Sequence, residues 1–272
     1  MIAATMGFWR KYMVVFKADW AIMMAYRSET LIWMFGAFVQ PLVSLAVWTS
    51  LSGTGSIAGY RASDYVLYFC AVLLVDRLTR SWDVYELDSD IRQGTFSGKL
   101  LRPFHPIHWS INGNLVYKIF WAALMIPAWL LLALFIPAMR TPAGIGTIGL
   151  AVLAIALSSA LRFLIGYMFG LLAFWSNRAT AVYALYEGVH LFLAGRIAPL
   201  SMFPDWVAEA AKVLPFYVTV AFPVDLLTAR LAGEPQQIAI GFAQQLGWLM
   251  ILLLAFRLMW RQGLKRYGAS GG

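Results

Sequence analysis

Long stretches without a charged residue alternate with short polar connections along the chain. The clearest of these stretches run from Leu31 to Leu51, from Ile119 to Met139 and from Ile238 to Phe256. Each holds about 20 residues, and a helix of that length reaches about 30 Å, the thickness of the hydrocarbon core of a bilayer. The pattern therefore predicts three uninterrupted membrane-spanning helices.

Three further apolar stretches are interrupted by charged residues. One starts near Asp64 and becomes polar in its inner half. Another runs from Gly144 to Trp175 around Arg162, and the last follows Arg178 and carries Glu187. Together with the uninterrupted stretches they give six predicted spans, and an even number of spans places both termini on the same side of the membrane.

The stretch 195–235 fits neither a span nor a solvated loop. It holds five of the 11 prolines, which is too many for one span, and it is too apolar to lie in water. Short helices at the interface, or dipping into the bilayer, suit this composition. We therefore expect short re-entrant helices between the fifth and sixth spans.

The composition agrees with a membrane protein. Hydrophobic residues make up 61% of the chain and charged residues 12%, about half the charged fraction of a soluble domain. We predict an all-α integral membrane protein with residues 1–272 in one domain.

The distribution of charge predicts the orientation. Of the 21 lysines and arginines, 15 fall on the side of the termini, and the positive-inside rule makes that side cytoplasmic. The net charge of +8 then reflects topology and contact with anionic membrane lipid, so we expect no nucleic acid partner.

Three motifs resemble ligand sites without meeting their requirements. The glycines of residues 144–149 have a dinucleotide-binding spacing, but they open a predicted span instead of following a strand. Residues 94–100 resemble a phosphate loop with one residue too few between its glycines and Leu in place of Ser or Thr. His105 and His108 lack a third metal ligand nearby. We therefore expect no metal, no cofactor and no catalytic residue, so the chain is predicted not to be an enzyme.

The long polar segment outside the spans is 83–106. Its acidic residues and Arg92 fit a short helix that stops at Gly94. A second short, apolar element, Phe96 to Leu101, ends before Pro103. Such an elbow either docks onto a soluble partner or is a solvated loop held by internal acid–base pairs. The residues alone leave both interpretations open.

Two parts of this segment, Asp90-Ile-Arg-Gln-Gly94 and Leu100-Leu-Arg-Pro103, resemble the cytoplasmic loop of the permease subunits of type-two-class ABC exporters. The stretches from Ala194 to Trp206 and from Leu214 to Pro223 resemble the segment after the fifth span of the same family. The motifs follow the order of the family, and with the amphipathic N-terminal helix and the six predicted spans the resemblance covers nearly the whole chain. The branch that the sequence most resembles is that of compact, six-span permeases.

The resemblance implies a complex of two permeases, identical or related, with two copies of a separate ABC ATPase that binds ATP and Mg²⁺. The segment after the second span would carry a coupling helix that sits in a groove on the ATPase. The amphipathic N-terminal helix, within residues 1–28, would lie along the inner face of the cytoplasmic membrane. The coupling candidates are Glu86, Asp88, Asp90, Ile91, Arg92, Gly94, Leu100, Leu101 and Arg102.

The resemblance also implies export, with the re-entrant segment closing the exit as an outer gate. The outer-gate candidates are Gly195, Arg196, Pro199, Phe203, Pro204, Pro215, Phe216 and Pro223.

Charged groups inside the predicted spans cost at least about 2.5–3.5 kcal/mol each, so they should face protein or water. They either line a substrate path or form a brace of ion pairs between the second, fourth and fifth spans. The polar residues concerned are Asp76, Arg77, Arg80, Arg162, Glu187 and His190.

Two other functions are alternatives to a permease. A proton-coupled secondary transporter would show internal repeats and interrupted spans in both halves. A membrane-embedded lipid-modifying enzyme would cluster His, Asp or Ser groups near one membrane face. The chain has no convincing repeat and 3 histidines in all, so the permease is the preferred prediction.

Overall fold

A computed structural model describes residues 2–53, 55–102 and 104–267 of the chain. Pro103, the last residue of one sequence motif, therefore lies outside the described residues. Within the described ranges every regular element is a helix, which agrees with the predicted all-α class. The helices are α1 (Ile2–Ala25), α2 (Arg27–Ser52), α3 (Ala62–Thr79), α4 (Asp83–Gln93), α5 (Phe96–Leu100), α6 (Pro106–Phe135), α7 (Ile145–Leu171), α8 (Ala179–Leu193), α9 (Asp205–Val213), α10 (Ala221–Leu227) and α11 (Pro235–Arg266).

Four of these helices are long and apolar enough to cross a membrane. They are α2, α6, α11 and α7 continued by the 3₁₀ turn Leu172–Phe174. The chain is therefore a multi-pass membrane protein. The other two predicted spans correspond to α3, with 18 residues, and α8, with 15 residues. Since 15 residues of helix reach only about 22 Å, the six-span count stays a prediction.

Local sequence determines several helix boundaries. Pro106 and Pro235 stand in the first turns of α6 and α11, where a missing backbone N–H costs nothing. Gly94 ends α4 with a left-handed φ of 77°, as the sequence predicts. The third predicted span ends earlier than expected, at Phe135, and Pro137–Met139 forms a separate 3₁₀ turn.

The helix α7 lies at the centre of the packing and touches α3, α4, α8, α10 and α11. Both α2 and α6 pack against α3, and α1 packs against α6. The apolar stretch 195–235 is broken, as predicted, into the short helices α9 and α10 and two 3₁₀ turns, Leu200–Met202 and Tyr217–Thr219.

The two ends of the helical bundle are built from different elements. At one end, here the α4 end, the Tyr267 hydroxyl after α11 donates to the Gly94 carbonyl at 3.0 Å, and the Ser97 amide donates to that hydroxyl at 3.1 Å. At the opposite end, here the α10 end, the Arg230 guanidinium donates to the Gly59 carbonyl at 3.4 Å. The two hydrogen bonds of Tyr267 join α4, α5 and the end of α11 into one layer at the α4 end.

Close helix contacts depend on glycines in α11. A Cβ at Gly241 would stand 2.3 Å from Cε2 of Phe222, whose ring is fully buried. A Cβ at Gly263 would meet the ring of Phe174 at the same distance. Because α11 approaches its neighbours this closely, even one methyl group at either glycine should disturb the packing.

We expect Gly241→Ala to lower the free energy of unfolding by about 1–3 kcal/mol, because the added methyl group overpacks the ring of Phe222. The matched control is Gly247→Ala in the same helix, where a Cβ meets nothing within 4 Å. Alanine there should be neutral or stabilising by up to about 1 kcal/mol. Thermal unfolding in detergent measures both, and equal midpoints for the two variants would contradict this packing.

Candidate functional site

A buried cluster of ion pairs joins the helices in the middle of the bundle. Its first hub is Asp76 on α3, whose side chain is 6% exposed. The carboxylate accepts from Arg162 of α7 at 2.8 Å, and it pairs with Arg196 at 3.2 Å and Arg80 at 3.1 Å. Arg77 lies farther away, at 3.8 Å. We call Asp76, Arg77, Arg80, Arg162, Glu187 and Arg196 the ion cluster.

The second hub is Glu187 on α8. Its carboxylate pairs with Arg162 at 3.4 Å and with Arg196 at 3.2 Å. Arg80 lies 3.8 Å from the same group, and the Tyr183 hydroxyl donates to it at 3.3 Å. The two carboxylates thus share three of the arginines and connect α3, α7, α8 and the turn after α8.

His190 extends this network toward the α10 end. Because arginine only donates, the Nδ1 atom of His190 must accept from Arg196, at 3.5 Å. The Nε2 atom then carries the proton and donates to the Thr219 hydroxyl at 2.9 Å, and that hydroxyl donates to the Phe216 carbonyl at 2.6 Å. The contacts are consistent with a neutral imidazole that positions Arg196.

The ion cluster holds more positive than negative charge. Four arginines face two carboxylates, a formal sum of +2. A buried ion pair is maintained only where attraction and hydrogen bonds offset the desolvation of its charges. The Thr79 hydroxyl contributes one such bond by accepting from Arg162 at 3.0 Å.

The structure brings together all six polar residues that the sequence placed inside the spans. It adds Arg196, which the sequence assigned to the outer gate and which contacts both hubs. Sequence spacing gave no signal for this, because Arg196 follows the end of α8 and reaches Asp76 only through the tertiary fold. Carbonyls beside it accept from α2: Gln40 donates to the Arg196 carbonyl and Trp48 to the Ile197 carbonyl, each at 2.9 Å.

The other outer-gate candidates separate into distinct surroundings. Phe216 stacks on Tyr186 with ring centroids 5.8 Å apart. Gly195 takes a φ of 75° and its carbonyl accepts from the Tyr68 hydroxyl at 2.7 Å. Phe203 packs against the core around Leu200. The remaining candidates are Pro199 and Pro204, which flank Leu200–Met202, Pro215, which follows α9, and Pro223, which is buried in α10.

The segment α4–α5, residues 83–102, forms an elbow at the α4 end. Lys99 bridges Glu86 at 2.6 Å and Asp90 at 2.5 Å, and Arg92 pairs with Asp88 at 3.1 Å. The internal acid–base pairs of the solvated-loop interpretation are therefore present.

The elbow is also anchored to the bundle on one side and exposed on the other. The side chains of Asp88, Ile91 and Phe96 are buried, whereas Leu101 is 87% exposed. Glu86, Arg92 and Arg102 are exposed as well, and Gly94 and Leu100 are intermediate.

Sequence reasoning missed a polar contact that fixes the start of the elbow. Asp83 accepts from the Ser81 hydroxyl at 2.5 Å and from the side-chain amide of Asn114 in α6. Burial raises the pKa of Asp83 to about 6, although both hydrogen bonds oppose the shift. Nearby, Asn112 donates to Asp19 of α1 at 2.5 Å. The available signal was the pair of asparagines, Asn112 and Asn114, in the polar first part of a helix that becomes apolar from Ile119 onward.

Long apolar helices with buried charges between them, and an anchored elbow at one end, define a multi-pass membrane protein. The sequence matches the family model described as ABC-2 family transporter protein over residues 31–271. The chain therefore belongs to the ABC-2 transporter family and is a permease of that type, as its sequence motifs predict. No curated protein matches the sequence.

Membership of this family has two consequences. The chain is a membrane component of an ABC transporter. An ABC ATPase subunit is therefore its partner.

Removing the negative charge of Asp76 should make the folded protein less stable. We expect Asp76→Asn to lower the free energy of unfolding by about 3–5 kcal/mol, because the arginines around it lose their principal counter-charge in a buried position. The control is Glu209→Gln, which removes an exposed pair with Lys212 and should cost at most about 1 kcal/mol. Denaturation of the purified variants in detergent separates the two, and a loss at Asp76 no larger than at Glu209 would contradict a structural role.

Proposed function

We propose that this permease forms the substrate path of an exporter in the cytoplasmic membrane, with both termini in the cytoplasm. Two copies of the chain, or this chain and a related permease, pair in the complex. Two copies of the separate ATPase bind ATP and Mg²⁺ and drive transport through the elbow. The observation that carries the proposal is the anchoring of an exposed elbow directly onto the central helix α7.

The anchoring is tight enough to transmit movement. A Cβ at Gly170 of α7 would lie 2.9 Å from the Cβ of Leu87, so the glycine lets α4 pack directly on α7. Phe96 of α5 is fully buried, and its ring contacts Trp260 and Tyr267 at centroid distances of 5.9 and 5.8 Å. A displacement of the elbow therefore reaches both α7 and α11.

The central helix connects the elbow to the ion cluster. Gly170 and Arg162 are both on α7, about 12 Å apart along the helix axis. Movement at the elbow would thus change the position of a guanidinium that binds both Asp76 and Glu187. We propose that the ion pairs of Arg162 with Asp76 and Glu187 are a brace, so that α3, α7 and α8 move together.

The exposed side of the elbow suits a protein partner. Leu101 offers an exposed apolar anchor, and Glu86, Arg92 and Arg102 add exposed charge to the same segment. Protein interfaces combine apolar residues with polar ones at the rim. We assign the ATPase groove to this surface.

Six membrane spans follow if α3 and α8 also cross the membrane. The charges that make α3 polar are paired with α7 and α8, which lowers the cost of placing them in the bilayer. The short helices α9 and α10 would then form the re-entrant outer gate at the α10 end, and α1 would lie on the inner membrane surface.

The test is capture of the ATPase from the native membrane. Tagged wild-type protein should retain an ABC ATPase, and Leu101→Asp should retain at least about tenfold less, which corresponds to about 1.4 kcal/mol. The matched control is Ile145→Asp, which changes a residue that is 91% exposed at the start of α7. The proposal is wrong if the wild type retains no ATPase in any mild detergent, or if Ile145→Asp removes it and Leu101→Asp does not.

A further inference from the structure

Two neighbouring cavities follow one another along α3, between α2 and α6, and together are called the groove here. Its first part is a cavity of about 480 Å³ near the α4 end, which also reaches the turn after α3. Arg77 and Arg80 line it together with four aromatic rings, those of Trp33, Trp82, Tyr117 and Trp121. Trp33 is 70% exposed, so this cavity opens to the surroundings of the bundle.

The second part of the groove is a cavity of about 490 Å³ on the same three helices. It begins one residue farther along α2, at Phe38, and three residues farther along α3 and α6, at Leu74 and Leu124, and its lining is almost wholly apolar. From Trp33 to Leu45 on α2, the two cavities extend over about 18 Å. That length exceeds the roughly 15 Å of one half of the hydrocarbon core.

Arg77 and Arg80 at the first cavity belong to the ion cluster, whose formal charge is +2. Three of its arginines contact both carboxylates: Arg162 and Arg196, with side chains 3% and 7% exposed, and Arg80, which lies 3.1 Å from Asp76 and 3.8 Å from Glu187. Arg77 pairs with Asp76 at 3.8 Å and is the least neutralised of the four.

Aromatic rings hold these guanidinium groups toward the cavity. The centre of the Arg77 guanidinium lies 5.6 Å from the ring of Trp121, and that of Arg80 lies 5.4 Å from the ring of Trp82. Cation–π contacts stabilise the charge without neutralising it. An anion in this cavity would therefore meet two guanidinium groups that are held in place by aromatic rings.

We propose that the groove binds a membrane amphiphile with a phosphate head group and an apolar chain. The head group lies against Arg77 and Arg80, where bidentate guanidinium–phosphate contacts are available. The chain follows the second cavity between α2 and α6. A small water-soluble anion would leave the second cavity empty, so the apolar half of the groove favours a lipid.

The inference is independent of the ATPase, because every wall of the groove comes from one chain. Binding can therefore be measured on the purified permease alone. Failure to bind lipid would leave the proposed coupling untouched, and failure to capture an ATPase would leave the groove untouched.

The experiment compares two lipids with the same chains. The permease is purified in a neutral detergent and incubated with dioleoyl phosphatidylglycerol or dioleoyl phosphatidylcholine, and the retained lipid is counted by native mass spectrometry. We expect one phosphatidylglycerol to be retained with at least about tenfold preference over phosphatidylcholine. Inorganic phosphate at millimolar concentration should not displace it. Equal retention of both lipids, or displacement by phosphate, would overturn the proposal.

Two variants locate the site. Arg77→Gln should lower the preference at least tenfold by removing the less neutralised cation. Gly36→Phe should do the same with both arginines intact, because Gly36 lines the first cavity and has nothing within 4 Å of a Cβ. This second variant keeps the test decisive if Arg77→Gln folds poorly.

Two controls exclude general effects of charge and bulk. Gly149→Phe adds the same ring at an exposed position of α7, and Arg257→Gln removes a cation from α11, outside the groove. Both should retain the wild-type preference. A preference that survives Gly36→Phe would assign lipid binding to the basic surface of the protein instead and overturn the groove.

Discussion

The attraction between two carboxylates and the arginines around them is the interaction on which the rest of this structure depends. Asp76 and Glu187 come from different helices and bind the same guanidinium groups of Arg162 and Arg196. An unpaired charge in this buried position would be costly, so the helices that supply the charges must stay together. The polar centre therefore fixes the arrangement of α3, α7 and α8, although apolar packing provides most of the contact.

The same constraint links the two ends of the molecule. The elbow reaches the ion cluster through α7, because Gly170 admits Leu87 and Arg162 lies on the same helix. The turn after α8 reaches it from the other side through Arg196, whose carbonyl is held by α2. In the proposed function, a movement that the ATPase imposes on the elbow becomes a movement of the membrane helices. The contacts of α7 are a short, buried route for it.

The sequence predicted the elements better than their contacts. Uninterrupted apolar stretches located α2, α6 and α11, and glycine chemistry located the end of α4 at Gly94, because both signals are local. The family motifs, which combine several such signals, were confirmed by the match over residues 31–271. The ion pair of Arg196 and Asp76 could not be predicted in this way. The two residues lie far apart in sequence, and only the tertiary fold brings them within 3.2 Å of each other.

The central claim is that the elbow receives the ATPase, and site-directed cross-linking tests it most directly. The single native cysteine is first removed by Cys70→Ala, and Leu101→Cys or Ile145→Cys is introduced into that background. In native membranes, a short bifunctional thiol–amine cross-linker should join the Leu101→Cys variant to an ABC ATPase and leave the Ile145→Cys variant unlinked. Adducts from position 145 and none from position 101 would place the ATPase at the opposite end of the bundle and contradict the account.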